Sequence, residues 1–224
     1  MTKFDQSILE HLAAVQRERE RRAASPDLMA GVQAVKAYQH KRFEETYADL
    51  LRSGRYGPAA RFFLDELYGP TDFARRDQQF ARVVPALVRL FRKEILETVE
   101  ALASLHALSE ALDSEMGAHF ASDAAPEHAY RHAWRRTGRA DDREQQIRLM
   151  LLVGEKLDTL TRRPMLRASL NMMRVPARAA GLAELQQTLE RGFETFRSMR
   201  GAAEFLATIG QRERAICLQL FSSQ

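Results

Sequence analysis

Six histidines, one cysteine and a few charged residues set on apolar stripes are the side chains in this 224-residue sequence that could do chemistry. A carboxylate-bridged di-iron centre in a helical protein needs Glu-x-x-His twice, because that spacing puts a carboxylate and an imidazole on one helix face. The residues three before His11, His40, His106, His119, His128 and His132 are Ile8, Ala37, Ala103, Met116, Ala125 and Ala129, none of them acidic. His128 and His132 stand four apart, a chelating spacing, but no glutamate follows His128 as a zincin helix requires. Arg131, Arg135 and Arg136 would also repel a cation there. Neither a metal nor a cofactor is expected. Cys217 lies between Ile216 and Leu218, the setting of a small buried hydrophobe rather than of a thiolate nucleophile. With no Walker loop, dinucleotide fingerprint or nucleophile elbow, no catalytic residue is assigned.

Charges on apolar stripes carry more information. Phe73, Phe80, Val84, Leu87 and Phe91 recur on a helical period, and the gap between Phe73 and Phe80 holds Arg76 and Asp77. In the last periodic segment, Arg212 and Glu213 fall between Ile209 and Ile216. A charge on a buried face is either paired or lines a pocket, since an isolated ion in the dry interior is very costly. Arg76, Asp77 and Glu213 are therefore the candidate lining of a pocket for a small anionic ligand, or else core ion pairs in which Arg76 or Asp77 meets the final helix. A third group is Arg162, Arg163, Arg167, Arg174 and Arg178, the only charged residues between Thr159 and Ala183. They interleave with Met165, Leu166, Leu170, Met172 and Met173, a composition suited to a partner helix or an anionic surface. The plainer reading pairs these arginines with acids of other helices. Nucleic acid is the minority reading, because no helix-turn-helix spacing or interleaved aromatics accompany them.

The elements that must position these residues are all helical. Phe4, Ile8, Leu12 and Val15 form a stripe that runs into the alternating charges of Arg17 to Arg22, read as a solvated extension. Ser25-Pro26-Asp27 starts a helix carrying Leu28, Val32, Val35, Tyr38, Phe43, Tyr47 and Leu50. Gly57-Pro58 and Gly69-Pro70 bracket a short aromatic helix, and Thr71 or Asp72 launches the next, which Pro85 should kink or break near Val84. Ile95, Val99, Leu102, Leu105, Leu108, Leu112 and Met116 mark the longest helix. Pro126 opens another, Asp141 or Asp142 caps the following one, and Pro164 and Pro176 bracket a short segment before two terminal helices. The fold expected is a single all-α bundle of about eight to ten helices, with residues 1–24 a separate and protruding N-terminal helix and residues 25–224 the domain. The 45% hydrophobic and 29% charged fractions fit a folded protein. The net charge of +4 arises from 34 basic residues, nearly all arginine. A lone cysteine, early charges at Asp5 and Glu10, and the lack of a membrane-length apolar run point to the cytoplasm and away from a membrane.

The segments FFLDELYGPTDFARRDQQFARVVP and LQQTLERGFETFRSMRGAAEFLATIGQRE, with GRADDREQQI and LMLLVGEKLDTLTRRP between them, resemble a family of uncharacterised helical proteins, mostly from proteobacteria. The resemblance runs from about Tyr56 to Phe221 and implies one domain over that range, without carrying an activity or a site residue. Together these readings lead to a non-enzymatic helical protein that acts by binding another protein, through self-association or as a regulatory adaptor.

Overall fold

The structure, a computed structural model, describes residues 3–67, 74–90, 92–121 and 124–222. Among them are twelve helical segments and no strand: α1 (Lys3–Ala23), α2 (Pro26–Thr46), α3 (Ala48–Arg52), α4 (Gly57–Leu67), α5 (Ala74–Leu90), α6 (Lys93–Ala118), α7 (Pro126–Thr137), α8 (Ala140–Thr161), α9 (Pro164–Met172), α10 (Arg174–Ala179), α11 (Ala183–Ser198) and α12 (Ala203–Ser222). The count exceeds eight to ten because two stripes are interrupted. Tyr47 leaves helical geometry and splits off α3, and Met173 separates α9 from α10.

The all-α class follows from the sequence signals. Ser25 accepts from the Leu28 amide while Pro26 occupies the first turn of α2, and Pro126 and Pro164 open α7 and α9 in the same way. Asp141 and Asp142 sit in the first turn of α8 rather than at its cap. The cap is Arg139 in the left-handed region, and its guanidinium donates to Asp142 at 2.6 Å. Pro85 does not end its helix, since α5 continues to Leu90. The Gly69-Pro70 bracket and the Thr71 and Asp72 start lie outside the described residues.

The long α6 is the axis of the bundle, with α1, α2, α7 and α8 packed around it. The largest core lies among α4, α6, α8, α11 and α12, where Phe63, Phe196 and Phe205 meet edge to face and at a tilt. A smaller core joins Val35, Met116, Tyr130, Trp134 and Leu220, and a third joins Ile8, Leu12, Val84 and Ala103. Helix α1 therefore does not protrude. It lies along α6 and α5, and even its charged C-terminal half turns Arg19 and Arg22 inward.

Candidate functional site

The charged residues of the interior gather on the face of α6 that meets α1 and α2. His106, Glu110 and Asp113 follow one another at about one turn along it, with Ser114 next to Asp113. Glu110 is buried and receives Arg22 Nη1 at 2.6 Å and Lys36 Nζ at 2.8 Å. Arg22 spends its other donors on Ser114 Oγ and the Glu110 carbonyl, both at 2.8 Å, so its fork is satisfied on three sides. Burial alone would raise the Glu110 carboxyl, but the adjacent Lys36 and Arg22 cations overcome it and hold the group down at about 2. Asp113, accepting from Gln39 Nε2 at 3.0 Å, is instead pushed up by burial.

The Glu110 shift has a pH consequence. Its folded value lies below the usual 4.5, so its stabilisation is complete above about pH 4.5 and fades as the pH falls toward 2. A shift of this size corresponds to ~3 kcal/mol. Urea unfolding between pH 7 and pH 2.5 should show most of that loss, and Glu110→Gln should remove this contribution to the slope while leaving those of Asp49 and Asp77.

One end of the seam contains Asp77. Its Oδ2 meets Arg19 Nη2 at 2.6 Å and His106 Nε2 at 2.8 Å, so Nε2 carries the imidazole proton, because a carboxylate only accepts. Burial works against ionisation here, yet His106 and Arg19 leave Asp77 below the ordinary aspartate value. Glu213 belongs elsewhere. Arg42 grips it through both terminal nitrogens at 3.1 Å, and Tyr47 donates to it at 2.8 Å. Its neighbour Arg212 forks onto Asp49 at 2.7 Å and donates to the Thr46 carbonyl. The expected meeting of Asp77 with the final helix is thus corrected: Asp77 joins α5 to α1 and α6, Glu213 joins α12 to α2, and the two share no described partner. The side chain of Arg76 lies outside the described residues.

Beside Glu213 is a cavity of about 30 Å³ lined by Arg42, Trp134, Arg143, Gln146 and Cys217 among others. That is room for one or two water molecules, far below a metabolite pocket. Arg143 stacks on the Trp134 ring at 4.0 Å, and burial raises the Cys217 thiol, which keeps it un-ionised.

The arginines of the basic segment are exposed, and three are matched within the chain. Arg162 pairs with Asp158 at 2.6 Å, Arg167 with Glu194 at 2.8 Å and Arg174 with Glu190 at 2.7 Å. Among the described residues Arg163 and Arg178 make no ion pair. Helix α9 buries no residue completely. It is tied to α11 by Gln186 Nε2, which donates to the Leu170 carbonyl at 2.7 Å, and α11 to α5 by the Leu185 amide, which donates to Gln79. The apolar side chains left over are prominent: Met165 is 83% exposed, Met172 73% and Val175 77%. Met173 and Leu189 add to this corner.

Sequence reasoning missed Arg19, Arg22, Lys36 and Glu110. The available signal was the stripe of α1, whose steps of four and three continue from Ile8, Leu12 and Val15 into Arg19 and Arg22.

Fold and geometry together define an all-α bundle in which Glu110 of the central helix and Asp77 beside it are ion-paired and whose α9–α10–α11 corner exposes several large apolar side chains. The chain belongs to the family described as a domain of unknown function, DUF8198, whose family model matches residues 18–224. The match reaches further toward the N-terminus than the resemblance from Tyr56. No curated protein and no solved structure matches the chain significantly. No described helix is long and apolar enough to cross a membrane.

Proposed function

We propose that this chain is a bacterial cytoplasmic protein-interaction module, working by binding rather than by catalysis, and that its working surface is the α9–α10–α11 corner. The observation that carries the reading is the exposure of Met165, Met172 and Val175 on short helices that contribute almost nothing to the core. Large apolar side chains grouped on a soluble surface favour a partner, because covering them removes apolar area from water. Methionine suits this use, being flexible and polarisable enough to fit more than one shape.

The pocket and nucleic-acid readings have less behind them. The cavity at Glu213 is water-sized, and three of the five arginines are already matched by acids. The interior pairs tie helices together, which serves rigidity. A photocrosslinking side chain placed at position 172 tests the proposal in the native host. It should form a covalent adduct with another protein chain, and a 172 variant that crosslinks to nothing would overturn the reading.

A further inference from the structure

Resting on that reading of the α9–α10–α11 corner, we propose that its partner is an acidic amphipathic helix of another protein. Two features of the surface select that class. Met165 and Met172 are seven residues apart on α9, so they share a face and lie about 10 Å apart along the axis. That is the spacing at which a partner helix presents its i and i+7 anchors. Val175 on α10 and Leu189 on α11 add exposed apolar side chains to this strip from two helices that contact α9.

The second feature is charge. Asp158, Glu190 and Glu194 pair with Arg162, Arg174 and Arg167; Arg178 helps to hold the Glu190 carboxyl down but shares it with Arg174, and Arg163 has no described ion pair, so the segment keeps positive charge in excess. Both arginines are exposed, Arg163 immediately before α9 and Arg178 in the last turn of α10, so they bracket in sequence the segment that carries Met165, Met172 and Val175. A helix with acids flanking a leucine row would cover the strip and meet both. A second copy of this chain would bring the same excess of arginines to the contact, and like charges across an interface are costly. A basic or neutral helix would leave that excess positive charge uncompensated.

The test uses the full chain and fluorescein-labelled helical peptides of about 20 residues, with leucines at i, i+4 and i+7 and either glutamate or lysine at the flanking positions. Fluorescence anisotropy should show saturable binding of the glutamate peptide, about tenfold or more tighter than the lysine peptide and weakening as salt is raised. Arg163→Glu with Arg178→Glu should abolish the preference, and Met172→Asp should abolish binding. All of these positions are exposed, so circular dichroism should report an unchanged fold and melting temperature.

Binding that requires Met172 but ignores the sign of the peptide charge would overturn the acidic class while leaving the apolar corner as a docking face. Self-association in sedimentation that Met172→Asp abolishes would likewise overturn it, in favour of a second copy. Displacement of the peptide by duplex DNA would overturn it in favour of nucleic acid. Absence of saturable binding by either peptide would overturn it outright; if Met172→Asp also changed no association of any kind, the interaction reading itself would fail.

Discussion

Glu110→Ala is expected to lower the unfolding free energy by about 3–5 kcal/mol, because it strands a buried guanidinium. Arg22 is almost wholly enclosed and points its charge at the Glu110 carboxylate, while its hydrogen bonds go to the Glu110 backbone carbonyl and Ser114 Oγ, which the substitution leaves in place. Lys36, the second cation on that carboxylate, is more exposed and can swing its ammonium into water. Removing Glu110 therefore leaves one ion with an escape and one without. Replacing Arg22 and Glu110 together by apolar side chains of similar volume should cost much less, since no charge is then left alone in the interior. Equilibrium urea unfolding of the wild type, the single variant and the double variant gives the comparison. A single variant within about 1 kcal/mol of wild type would show that the seam is hydrated and contributes little.

Gly31→Ala is expected to be the most damaging small substitution, at roughly 3 kcal/mol, the upper part of the range for overpacking. Here α2 crosses α6 with backbone against backbone. A methyl group on Gly31 would overlap the Gly117 carbonyl oxygen, and one on Gly117 would lie 2.8 Å from the Val32 amide nitrogen. Backbone cannot rotate away as a side-chain tip can, so the helices would have to part. The sign is informative, because inside an ordinary helix Gly→Ala stabilises by up to about 1 kcal/mol. Thermal unfolding should show a lower midpoint in both Gly31→Ala and Gly117→Ala. An unchanged or raised midpoint would mean that the crossing is looser than the structure has it.

Much of the fold was legible because its helices obey simple local rules. Apolar residues at steps of three and four identify α2, α6, α8 and α12 from sequence, and serine or proline marks the starts of α2, α7 and α9. Pro85 misled because a proline in a helix can be tolerated where neighbouring helices hold the chain, and α5 is held by Val84 in the core and by Asp77 and Gln79 at its contacts. The interior seam was less legible for a different reason. In α1 the stripe changes from Ile8, Leu12 and Val15 to Arg19 and Arg22, and in α2 from Leu28, Val32 and Val35 to Gln39 and Arg42, without losing register. In α6, His106, Glu110 and Asp113 repeat the same steps. Taken one helix at a time, such residues look solvated. Only their placement against one another shows that the charges compensate across the contact, and that information is not local. The exposed corner was half legible: arginines and methionines stand together in the sequence, but which of them face solvent depends on how α9 rides on α11.

The central claim, that the α9–α10–α11 corner is where this protein meets another, is most directly tested by comparing photocrosslinking from position 172 with photocrosslinking from Gln145, an exposed position on α8. A discrete adduct from position 172 that is absent from position 145 is expected. Equal labelling from both positions, or none from position 172, would contradict it.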